Sequence, residues 1–153
     1  MASATRSRPR RTPAAPPAEP RAEELVAALE RALAEADADE RVGPLIGATR
    51  LRLRFELREP ELTVNLAAAE DDHNLTWSFA DDPGWSPKLL LRMPAEVANR
   101  YLQGRESLAI AIARGQVSCK GESRVALLYL PATRLLCEPY RRVVETEFPA
   151  LAV

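Results

Sequence analysis

His73 is the one histidine of the chain, and it closes the acidic stretch Glu70-Asp71-Asp72-His73. These are metal-ligand residue types. Four consecutive residues on a tight turn do not converge on one ion without further ligands, so the stretch reads as a solvated turn. Ser107, Ser118 and Ser123 lack the Gly-x-Ser-x-Gly elbow that would present a nucleophile. No pair of carboxylates is singled out for acid–base work. The segment from Gly115 to Ser123, GQVSCKGES, sets a lysine between glycines, as a phosphate loop does. A P-loop needs its lysine after the second glycine, opening a helix. Here Lys120 precedes Gly121, and the residues between alternate as in a strand. Cys119 and Cys137 belong to no Cys-x-x-Cys or Cys/His cluster and read as two free, largely buried thiols. No metal, cofactor or catalytic group is expected.

Charge adds two candidates. Arg50, Arg52 and Arg54 share one side of an alternating run and could meet an anionic partner. The plainer reading is a solvated face paired with Glu56 or Glu61 at about 0.2–1 kcal/mol per good pair. The net charge of -1 gives no case for nucleic acid or for an anionic membrane from the chain as a whole. Trp85, in the loop Asp81-Asp82-Pro83-Gly84-Trp85, either packs on its own loop or dips into a membrane interface.

The elements that must position these residues follow from periodicity. Residues 1–20 are rich in proline, alanine and arginine and read as a disordered basic tail. They hold no apolar run of the secretory kind, and the chain has no apolar run of membrane-spanning length, so a cytoplasmic protein is expected. Residues 21–150 read as one domain. Leu25, Leu29 and Leu33 recur every fourth residue and predict a helix over 21–38. Gly43-Pro44 and Gly47 read as breaks. Residues 49–58, 61–67 and 74–80 alternate apolar and polar and predict three strands of an antiparallel meander. Residues 88–93 predict a fourth strand. Short helices are expected at 94–103 and 105–114, ended by Gly104 and Gly115. A fifth strand follows at 116–120. The rest is helical, split into two or three pieces by Pro131 and Pro139. The fold class is α+β: a five-stranded, mostly antiparallel sheet covered on one face by helices.

The stretch LQGRESLAIAIARGQVSCKGESRVALLYL then carries a resemblance. Gly104, Gly115, Val117 and Gly121 stand in the order and spacing of the sterol carrier protein-2 family of lipid-binding domains, and the upstream meander fits as well. The sequence resembles that family over about residues 21–148. It departs where Glu122 replaces a frequent aspartate, and where Ser86-Pro87-Lys88 stands in place of an acidic strand start. The resemblance implies an apolar tunnel between sheet and helices, holding a sterol-like molecule, a fatty acid or an acyl-CoA. The candidates to line it are Leu66, Trp77, Phe79 and Leu91 from the sheet and Val97 and Tyr101 from the following helix. Leu108, Ile112, Leu127, Leu128 and Leu135 complete them.

The expected function is binding, with or without transfer, of such a hydrophobic small molecule, at a membrane surface or beside an enzyme partner. The alternative is a non-catalytic accessory or scaffold module for a lipid, quinone or natural-product biosynthetic enzyme. A small enzyme, the third possibility, would need a group such as Cys119 facing the cavity with a perturbed pKa.

Overall fold

The computed structural model describes residues 20–153, so the reading of the N-terminal tail lies almost wholly outside the described residues. Helix α1 spans Ala22–Ala38, with Glu23 and Glu24 in its first turn, where carboxylates complement the helix dipole. Its buried face carries Leu25, Leu29 and Leu33 beside Ala28, Ala32 and Ala36. The small residues leave room for a neighbouring helix.

Helix α2 (Val42–Gly47) forms where breaks were expected. Asp39 supplies the reason. Its Oδ1 accepts from the backbone N–H of Arg41 at 2.8 Å and of Val42 at 3.0 Å. Pro44 sits in the first turn, where a missing N–H leaves no helical bond unmade.

The five strands are β1 (Arg52–Arg58), β2 (Leu62–Ala68), β3 (Leu75–Ser78), β4 (Leu89–Pro94) and β5 (Ser118–Gly121). They lie in the order β3-β2-β1-β4-β5. The meander is as expected: Phe55 pairs opposite Val64, and Leu66 opposite Trp77. One pairing is parallel, β1 with β4, which sets Phe55 beside Leu91. The sheet is therefore mixed. The chain from β3 to β4 crosses the outer face of β2 and β1. There Asn65 Nδ2 donates to Ala80 O at 2.7 Å, and an Arg54 guanidinium N–H donates to Asp81 O at 2.6 Å. The outer arginine reading holds in part, since Glu56 takes both Arg54 and Arg92 as ion partners.

Between β4 and β5 lie helices α3 (Ala95–Leu102) and α4 (Leu108–Ala113). Helices α5 (Ser123–Arg134) and α6 (Cys137–Glu147) follow, with a final 3-10 turn at Pro149–Leu151. Pro131 does not split α5; the break falls at Leu135 and Leu136. The carbonyl that Pro131 cannot bond belongs to Leu127, an exposed residue on the outer side of the helix.

The core lies between the inner sheet face and these helices. Leu53, Leu66, Leu89, Leu91 and Met93 meet Tyr140, Val143 and Val144 of α6, all essentially without exposure. Each such aliphatic side chain contributes about 1.5–3 kcal/mol on burial. A polar knot anchors the C-terminal turn inside this core. Leu151 O accepts from Asn99 Nδ2 at 2.9 Å and from Gln103 Nε2 at 2.8 Å. Tyr140 donates to Asn99 Oδ1 at 2.7 Å.

Candidate functional site

Two matched turns frame the candidate site. After α3, Gly104 N donates to Tyr101 O at 2.9 Å and Arg105 N to Arg100 O at 2.8 Å. After α4, Gly115 N donates to Ile112 O at 3.0 Å and Gln116 N to Ala111 O at 2.9 Å. Both are Schellman caps, and each needs a left-handed residue, with φ 75° at Gly104 and 73° at Gly115. The first cap turns the chain sharply out of α3. Ser107 then caps α4, its Oγ accepting from the N–H of Ile110. The link Gly104–Ser107 thus stands away from α5 and leaves a groove between them.

That groove is open to solvent along its length and spans about 800 Å³. Its apolar walls are Leu108 and Ala109 on one side and Ala126, Leu127, Leu130 and Pro131 on the other. Tyr101 and Cys137 also border it. Arg105, Glu106, Ser107 and Arg134 give it a polar rim. Glu106 is engaged by Arg100 at 3.2 Å, whereas Arg105 and Arg134 have no ion partner among the described residues.

A second space lies inward, between α1, the sheet, α3 and α6. It is lined by Leu25, Leu29, Phe55, Leu57, Leu66 and Tyr140, among others, and encloses about 30 Å³. That is room for a water or a few, far short of an acyl chain. The tunnel expected from the resemblance is therefore not open in this structure, because the leucines of α1 and Tyr140 of α6 fill the space. Tyr101 borders both the inner void and the outer groove.

No protein-family model and no curated protein sequence matches the chain. Solved structures do. The sterol carrier protein domain 2 of Helicoverpa armigera is similar with a TM-score of 0.57 at 16% identity, over 79% of this chain and 95% of that one. A UbiJ-SCP2 ubiquinone synthesis protein is similar with a TM-score of 0.55 at 17% identity, over 74% of this chain and 97% of that one. A protein of Thermus thermophilus, described as possibly a sterol carrier protein, is similar with a TM-score of 0.56 at 15% identity, over 76% and 86% of the two chains. The chain has the sterol carrier protein-2 fold.

Within this sterol carrier protein-2 fold, the eleven candidate lining residues are dispersed. Leu66, Leu91, Val97, Tyr101 and Leu108 are buried. Leu66 and Tyr101 face the inner void, and Tyr101 and Leu108 face the groove. Trp77, Phe79 and Leu135 are half-buried against the core. Ile112, Leu127 and Leu128, expected between sheet and helices, are exposed. Of these three only Leu127 borders the groove. Leu130, Pro131, Arg105 and Arg134 are groove residues that the sequence reading missed. The spacing of Leu127, Leu130 and Arg134, three and four apart, puts them on one side of α5 and was the available signal.

Two of the groove's titratable groups, Tyr101 and Cys137, are held in their neutral forms. Burial pushes the Tyr101 hydroxyl up, offset in part by its hydrogen bond to Thr133. Burial pushes the Cys137 thiol up, with Arg134 pulling the other way. Cys119 is exposed rather than buried, because β5 is an edge strand whose four residues all face solvent. It does not border the groove, and what burial it has also pushes its thiol up. A reactive thiolate needs the opposite shift. In the acidic turn, His73 Nδ1 lies 3.2 Å from Asp37 Oδ2. Among the described residues no group of three or more His, Cys, Asp or Glu side chains is placed to hold a metal ion.

Proposed function

We propose that the chain is a non-catalytic binding module for an elongated hydrophobic molecule, held in the groove between the α3–α4 link and α5. The observation that carries this reading is the groove itself. Its volume of about 800 Å³ is the size of a small-molecule site, with apolar walls and few polar groups. A fatty acyl chain would lie along Leu108, Leu127, Leu130 and Pro131. An anionic head group would meet Arg105 and Arg134 at the rim. Each buried methylene contributes up to about 0.8 kcal/mol, and an open groove covers only part of the chain. Association costs take a further share, so broad selectivity and about micromolar affinity are expected. The fold shared with sterol carrier domains supports this reading. The ubiquinone synthesis protein of the same fold supports a related one, in which the groove presents a prenylated or acylated intermediate to an enzyme partner.

Native mass spectrometry of protein purified from its own host, repeated after denaturation, tests both. A mass released on denaturation identifies the ligand class. Failure to bind added fatty acid, sterol and a long-chain quinone would overturn the reading.

A further inference from the structure

Among the described residues six large apolar side chains are exposed, and four of them lie in one stretch: Ile110 at 50%, Ile112 at 36%, Leu127 at 77% and Leu128 at 51%. Exposed leucines scattered singly need no explanation; a cluster does. These four sit on α4 and the outer side of α5, the two helices that border the groove. Pro131, also exposed, continues the outer side of α5 one turn beyond Leu127.

The charge around them is unlike that of the rest of the molecule. Residues 105–134 carry five basic side chains, Arg105, Arg114, Lys120, Arg124 and Arg134, against two acidic ones. The remaining described residues carry 12 basic side chains against 19 acidic ones. Both acids of the stretch are already engaged, Glu106 by Arg100 and Glu122 by Arg124. Arg105, Arg114, Lys120 and Arg134 have no ion partner among the described residues. The stretch 105–134 of an otherwise acidic set of described residues is thus net basic, and it also carries four of the six exposed large apolar side chains.

We propose that this α4–α5 face docks on an anionic lipid surface, with Ile110, Leu127 and Leu128 entering the acyl boundary and the free cations resting among the head groups. A second copy of the chain fits poorly, because it would oppose like charges. Protruding side chains on helix surfaces also ask for no shaped recess in their partner, and a fluid lipid layer offers none. The contact does not depend on the groove holding a ligand. Its use does: on the proposed reading, docking would turn the groove mouth toward the membrane, so that a hydrophobic molecule need not cross water.

The test uses the full chain in cosedimentation with phosphatidylglycerol-containing vesicles and with pure phosphatidylcholine vesicles. Binding to the anionic vesicles alone, weakening as salt rises, is expected. Two double variants lie outside the groove lining. Ile110→Asp with Leu128→Asp should abolish sedimentation, and Arg114→Gln with Lys120→Gln should lower the partition coefficient about fivefold per charge removed. Both should keep the wild-type urea midpoint and bind a fluorescent fatty acid in solution as the wild type does. Anionic-vesicle binding that survives the Asp variants would move the contact elsewhere, for example to the arginine-rich first residues, and overturn the proposal. So would a wild type that ignores anionic vesicles, which would assign the face to a protein partner. A wild type that docks yet binds no fatty acid in solution supports the docking and counts against the ligand reading alone.

Discussion

The Tyr101 hydroxyl donates a 2.6 Å hydrogen bond to Oγ1 of Thr133 and ties α3 to α5. The direction is fixed by the next bond along, because Thr133 has one hydroxyl proton and gives it to Leu130 O at 2.7 Å. Tyr101→Phe should therefore cost about 1 kcal/mol, the net worth of one buried neutral hydrogen bond. Urea denaturation would measure it. A change below a few tenths would mean that the two helices are held by packing alone.

The knot around Asn99 has more at stake. Asn99→Leu removes the partner of Tyr140 and one of two donors to Leu151 O, leaving buried polar groups unmade. A loss of about 2–3 kcal/mol is expected. The last three residues should then become sensitive to carboxypeptidase. Unchanged resistance would show that Gln103, which also accepts from Val153 N at 3.1 Å, holds the terminus by itself.

Stability should fall at alkaline pH. Burial raises the Tyr140 hydroxyl strongly, and it raises Tyr101 as well. The unfolded chain then releases these protons at lower pH than the folded one. Their contribution is complete below about pH 10, the unfolded value, and is lost as pH rises from there toward the folded value. Urea midpoints measured from neutral to alkaline pH should show this decline. Tyr140→Phe, less stable at neutral pH, should show a shallower one.

Leu130→Trp should fill the groove from the α5 side. Binding of a fluorescent fatty acid should weaken about tenfold or more, a loss of about 1.4 kcal/mol. Stability should change little, because Leu130 is only half-buried. Leu128→Trp, outside the groove lining, is the matched control and should bind as the wild type does. Equal loss in both variants would count against the groove as the site.

Gly104→Ala isolates the cap that opens the groove. A Cβ at Gly104 meets nothing within 4 Å, so the cost is purely that of the left-handed backbone, about 1–2 kcal/mol. A larger loss would mean that the α3–α4 link rearranges.

Alternation made β1 legible, because Leu53, Phe55 and Leu57 can only be buried together if the chain is extended. The same reasoning could not reveal that β1 pairs with β4 in parallel, since no short turn connects them to fix a register. Helix α2 was hidden by its own punctuation: Gly43 and Pro44 read as breaks until Asp39 is seen capping the turn ahead of them. The candidate site was legible by region and not by residue. Leu127, Leu128 and Ile112 are as apolar as Leu66, and hydrophobicity carries no sign that tells an inward side chain from an outward one. What separates them is the orientation of α4 and α5 against the sheet, a tertiary fact. Arg105 and Arg134 were passed over because each has an acid close by in sequence, Glu106 and Glu138, and only the tertiary structure shows that neither pair forms.

Among the described residues Tyr101 alone borders both the small void inside the fold and the groove outside it. A single aromatic ring is thus the partition between a shallow berth and a deep one. Trimming that ring alone would add little depth, because the α1 leucines and Tyr140 still fill the inner space; a deep berth asks for smaller side chains there as well.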